Sequence, residues 1–133
     1  MKSAAAMSRR SLLGLAALGL AACKKGSSPP TPRVDPDATA LAAARDGELT
    51  LIRSCEAVGF TADQNIHTAH FKALGGVFPS APVMPKLLQT DEIQSAVRGS
   101  VASLRGAAVA AIDGDHAARF ASIAASHEVM AGE

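Results

Sequence analysis

The feature that most constrains this chain is its apolar inventory. Nearly half of the residues are hydrophobic, yet there is no Trp, no Tyr and only four Phe. Ala dominates the apolar set. A core built from side chains this small closes only where backbones approach closely, and packed helices allow that. Ala is also the strongest helix former, while strand-favouring aromatic and β-branched residues are sparse. An all-α fold follows. With 133 residues the chain is long enough for one domain.

Charge is unevenly placed. From Ala38 onward there are 7 basic residues (Arg45, Arg53, Lys72, Lys86, Arg98, Arg105 and Arg119) against 10 acidic ones. The domain is mildly acidic and carries no basic stripe. Nucleic-acid binding is not expected, because phosphate neutralisation supplies most of that affinity.

The first 36 residues read as an address and a tether. Met1 to Arg10 is a basic n-region, and Ser11 to Ala22 is an apolar run. That run is shorter than the roughly 20 residues needed to cross a bilayer and fits the h-region of a secretory signal. It ends in Leu20-Ala21-Ala22-Cys23, which resembles the lipobox of bacterial prolipoproteins. Residues 1–22 are therefore expected to be a cleaved signal peptide, with Cys23 lipidated. Such a chain is anchored to the outer face of the bacterial cytoplasmic membrane. Arg9 and Arg10 lie in Ser8-Arg9-Arg10-Ser11-Leu12-Leu13, which resembles a twin-arginine export motif. The alternative is that the pair merely supplies n-region charge to the general secretion route. Residues 23–36 form a Pro- and Ser-rich linker, a composition that disfavours both helix and strand.

Residues 37–133 read as four helices. Leu41, Ala44, Glu48, Leu51, Ile52, Cys55 and Val58 recur at spacings of three and four, which predicts a helix over Ala38–Val58 ending at Gly59. Asp35-Pro36-Asp37 supplies a capping-type start. Thr61 and Gln64 form an expected capping box for a second helix running to Leu74. Its inward candidates are Ile66, His67, His70, Phe71 and Leu74. A Pro-rich loop follows over Val77–Pro85. A third helix starts near Lys86 or Thr90 and runs to Ile112, weakened by Gly99 and Gly106 unless these permit close packing. A fourth carries Phe120, Ile123, His127 and Met130 on one face. Short loops between amphipathic helices predict a bundle. His116 is expected to be exposed, and Cys55 to be a small core residue.

Glu48 stands in the middle of an apolar stripe, and His70 and His127 fall on the inner faces of two other helices. Carboxylates and imidazoles projecting into a four-helix core are the means by which metal sites are built in such bundles. The same residues, hydrogen-bonded to one another, would also fix helix register without any metal.

Two segments, His67-Thr68-Ala69-His70-Phe71-Lys72-Ala73-Leu74-Gly75 and Ala118-Arg119-Phe120-Ala121-Ser122-Ile123-Ala124-Ala125-Ser126, resemble parts of a ferritin-like domain found in actinobacterial cell-envelope lipoproteins. With Leu41–Val58 as first helix, the likeness covers most of the domain. It implies a four-helix ferritin-like bundle. Metal-binding members of that fold oxidise or store iron. The resemblance is to a degenerate form of that domain. This chain has no Glu-x-x-His, its last helix reads His127-Glu128-Val129-Met130, and its third helix has no acid between Glu92 and Asp113. An intact di-iron centre is not expected.

The first functional expectation is a lipid-anchored, non-enzymatic accessory or interaction module of the cell envelope, with an envelope protein as partner and no cofactor. The second is an oxidoreductase-like bundle holding iron or zinc through Glu48, His70 and His127. A third, a small-ligand carrier, needs an internal pocket, for which an Ala-rich core offers little indication. No phosphate-binding loop and no nucleophile elbow is present.

Overall fold

The computed structural model of the protein describes residues 33–81 and 84–132. The segments read as signal peptide, twin-arginine pair, lipobox and Cys23 anchor fall outside these residues, as does most of the expected linker. The described chain folds into four helices: α1 (Ala38–Val58), α2 (Thr61–Ala73), α3 (Thr90–Ala110) and α4 (Gly114–Gly132). There is no strand among the described residues. None of the helices is long and apolar enough to cross a membrane.

The helices pair as two hairpins, α1 with α2 and α3 with α4, and the hairpins meet chiefly where α1 faces α3. Glycines in the left-handed region end the two helices of the first hairpin. Gly59 has φ 82° and Gly75 has φ 75°. After α1, Gly59 N–H donates to Glu56 O and Phe60 N–H to Cys55 O; after α2, Gly75 N–H donates to Lys72 O and Gly76 N–H to Phe71 O. These are Schellman closures, which satisfy carbonyls that the last helical turn leaves bare. Arg45 adds a charged donor there, its Nε reaching Leu74 O at 2.7 Å.

Helix starts differ from the sequence expectation. Thr61 already lies inside α2 and makes no side-chain cap; the capping box belongs instead to α3, where Gln89 N–H donates to Glu92 Oε2 at 2.8 Å. A Ser, Thr, Asp or Asn signal was the guide, and Gln at the cap position escaped it. Asp37 does not cap its own helix either. It accepts from Ile112 N–H and Asp113 N–H, both at 3.0 Å, and from His116 Nδ1. The start of α1 is thereby pinned to the turn between α3 and α4. His116, expected in solvent, is half-buried for this reason. Helix α3 ends at Ala110, two residues before the expected Ile112, because Ala111 turns to extended backbone. Ile66, expected inward, faces solvent.

The core consists of two apolar clusters. One contains Leu41, Leu74, Leu104, Phe120, Ile123 and Ala124. The other contains Leu51, Cys55, Ile93 and Val97, with Phe60 and Met130 packed against it. Between the clusters lie Glu48 on α1, Ser100 on α3 and His127 on α4, and α2 brings His67 and His70 to the same level. A polar layer thus divides the bundle core.

Candidate metal centre

Glu48 lies at the middle of that layer, its side chain only 3 % exposed. Leaving a carboxylate there is costly unless it is paired, hydrogen-bonded or bound to a metal. Three imidazoles surround it. His67 and His70 are one turn apart on α2 and therefore share a face. His127 reaches in from α4. Their side chains are 0 %, 14 % and 1 % exposed respectively.

His67 Nδ1 donates to Glu48 Oε2 at 2.8 Å. His127 Nε2 lies 3.0 Å from Glu48 Oε1, and His70 Nδ1 lies 3.6 Å from Oε2. The His127 approach is close but not aligned as a hydrogen bond. His127 Nε2, His70 Nδ1 and the second nitrogen of His67, Nε2, are all buried without a hydrogen-bond partner. Buried polar atoms are nearly always satisfied, so three bare nitrogens around one carboxylate call for an explanation. Ring centroids are 5.1 to 6.0 Å apart. One donor atom from each of the four residues falls within 4.8 Å of all the others.

His127 is oriented through one nitrogen. Ser100 Oγ donates to Val97 O and lies against His127 Nδ1, so that Nε2 is turned toward the polar layer. An imidazole oriented through one nitrogen and free at the other is the usual arrangement of a metal ligand.

Charge favours the same role. Burial opposes ionisation of Glu48, but the imidazoles packed around it, His67 through its Nδ1 hydrogen bond, hold the carboxyl well below the usual carboxylate range. The group is an anion at neutral pH. Zinc–nitrogen bonds of about 2.0–2.1 Å put neighbouring tetrahedral donors about 3.3 Å apart. The four donors of the layer, all within 4.8 Å of one another, lie at or somewhat beyond that spacing, close enough to gather on one ion with small side-chain shifts.

A groove leads to this layer. It runs between α1 and α3 with a volume of about 670 Å³, and Glu48 and His127 form part of its wall. The Ala-rich composition gives little indication of such a space; small side chains here leave room instead of closing it.

A second acidic group, Asp35, Asp37 and His116, also brings three donors together. Its central carboxylate is already committed to two backbone amides and His116, so it acts as a structural clasp. Cys55 is fully buried. Burial first, then the charges of Asp63 and Glu48, push its thiol up to about 11, so it is a core residue and not a nucleophile.

The structure brings together the three residues singled out in sequence, Glu48, His70 and His127, and adds His67. The signal for His67 was present: it lies three residues before His70, on the same face of α2. Comparison with protein families, curated proteins and solved structures finds no match to this chain.

Proposed function

We propose that the domain binds one divalent transition-metal ion in its polar layer, held by Glu48, His70, His127 and one ring nitrogen of His67. The observation that carries this reading is the set of three buried, unpartnered imidazole nitrogens around an ionised carboxylate. Neutral imidazoles with one carboxylate suit zinc or iron(II) better than magnesium or calcium, which prefer all-oxygen shells. When bound, such an ion supplies Lewis-acid or redox chemistry. The chain's own residues orient it: Ser100 fixes His127, and the shared face of α2 presents two imidazoles together. Lipidation at Cys23 and twin-arginine export, both read from sequence, would place the site on the outer face of the cytoplasmic membrane. Export of an already folded domain suits a metal inserted in the cytoplasm. The four-helix arrangement supports a degenerate ferritin-like bundle with one mononuclear site in place of a di-iron centre.

The test is metal analysis of the full chain purified from its native membrane, with a Glu48→Gln, His127→Ala variant beside it. About one zinc or iron per wild-type chain and none in the variant is the expected result. Equal, substoichiometric metal in both would leave the layer as a structural hydrogen-bond network. It would also return the protein to the envelope interaction-module reading.

A further inference from the structure

Two of the four proposed ligands, Glu48 and His127, line the groove between α1 and α3. Both side chains are buried, so an ion arriving from solvent needs a path to them. Two features of the groove fit it to that task.

The first is charge. Among the described residues that line it, only Asp46 and Glu48 carry charge, and no Lys or Arg contributes. Asp46 precedes Glu48 by two residues on α1 and is exposed, whereas Glu48 is buried. The groove thus has one carboxylate in contact with solvent and another at its depth. A cleft lined by one sign of charge between low-dielectric walls concentrates counter-ions and speeds their arrival. Asp46 is not part of the proposed ligand set, so this pull acts on the journey rather than on the bound ion's coordination.

The second is width. Gly47 on α1 and Gly99 on α3 both line the groove. Gly is the poorest helix former after Pro, and close packing is the usual reason for keeping it inside a helix. A Cβ at either position would meet nothing within 4 Å. Here the missing side chains widen a space. Its volume of about 670 Å³ has room for roughly 20 waters at about 30 Å³ each. An ion still carrying its inner hydration shell fits within it.

We infer that the groove between α1 and α3 is the route by which a hydrated divalent cation enters and leaves the polar layer, with Asp46 drawing it in. This inference deepens the metal reading above and rests on it.

The test follows Co²⁺ binding to the purified full-length chain by stopped flow, with release measured into excess chelator. Asp46→Asn, an exposed change of nearly equal shape, should slow association at least about threefold at low salt. That deficit should vanish at 1 M salt, where the screening length falls to about 3 Å. Gly99→Leu, which plugs the groove without a Cβ clash, should slow association and release by the same factor, about tenfold or more. Its Kd should stay that of wild type, because a plug changes the path and not its two ends. Gly47→Leu makes the same plug from the opposite wall should the Gly99 variant fail to fold. Gly106→Leu, outside the groove lining, should keep wild-type rates. Wild-type rates in the plugged variants would overturn the inference and place the route past His70, the most exposed of the four ligands. A rise in Kd that accounts for the whole loss of rate would also overturn it, since that marks a disturbed site and not a blocked path. Absence of Co²⁺ binding to wild type would remove the metal reading as well.

Discussion

Ser100 on α3 holds His127 on α4 by its Nδ1, so that a residue outside the proposed ligand set determines which nitrogen faces Glu48. Loss of such a supporting hydrogen bond typically costs a metal site 10- to 100-fold in affinity. Ser100→Ala should therefore lower zinc affinity by about that factor while leaving the helical spectrum intact, and Ser100→Thr should restore most of it. Chelator competition measures the affinity. An unchanged value in Ser100→Ala would show that His127 is oriented by packing alone.

Metal binding should be visible as stability. At a free zinc concentration 100 times Kd, the folded state gains about 2.7 kcal/mol, which for a domain of about this size is a rise of roughly 10 °C or more in Tm. Glu48→Gln should lose most of that rise. If the layer is only a hydrogen-bond network, zinc will move neither protein and Glu48→Leu will be as stable as wild type or more so. Calorimetric scans with and without zinc separate the two outcomes.

The acid limb of the stability curve should depend on the clasp. The amides of Ile112 and Asp113, with His116, hold the Asp37 carboxyl below its ordinary 3.8, and the amides of His116 and Asp115 do the same for Asp113. A depressed carboxyl contributes stability that is complete above its unfolded pKa and is lost as pH falls through the folded one. The difference in denaturant midpoint between wild type and Asp37→Asn should therefore hold between pH 7 and 5 and shrink below about pH 4. Asp37→Asn should lower the plateau and flatten the decline. An acid limb as steep as that of wild type would assign the effect to other groups.

Two glycines should respond in opposite directions to Ala. A Cβ at Gly76 would lie 2.6 Å from the Phe71 ring, whereas one at Gly106 meets nothing within 4 Å. Gly76→Ala should destabilise by about 1–3 kcal/mol through overpacking. Gly106→Ala, in the interior of α3, should stabilise by up to about 1 kcal/mol. Urea midpoints give both signs; a neutral Gly76→Ala would mean that the turn after α2 yields easily.

The anchor is tested by Cys23→Ser. Labelled fatty acid should be incorporated into wild type and not into the variant, and the variant should leave the membrane fraction. Equal labelling would remove the lipobox reading.

Much of the bundle was legible in the sequence because its helices carry clear three-and-four periodicity. Helix α1 begins and ends where the pattern and Gly59 placed it. Glu48 was legible for the same reason, as a single acid in an apolar stripe. What sequence could not supply was contact between distant segments. Asp37 looks like a local cap but bonds 75 residues away, and His116 looks exposed until that partner is known. His67 shares the face of His70, yet nothing in α2 alone shows that both reach one carboxylate. The groove was hidden because Ala and Gly signal close helix packing equally well.

The division of ligands between the hairpins has one more consequence. The α1–α2 hairpin owns Glu48, His67 and His70, while the α3–α4 hairpin owns His127 and the Ser100 that aims it. Neither half holds a complete coordination shell. An ion that needs both acts as a rivet between them, and its affinity is thermodynamically linked to how firmly the halves dock. With an ion bound, whatever prises α1 from α3 would loosen it, and removing it would weaken the seam.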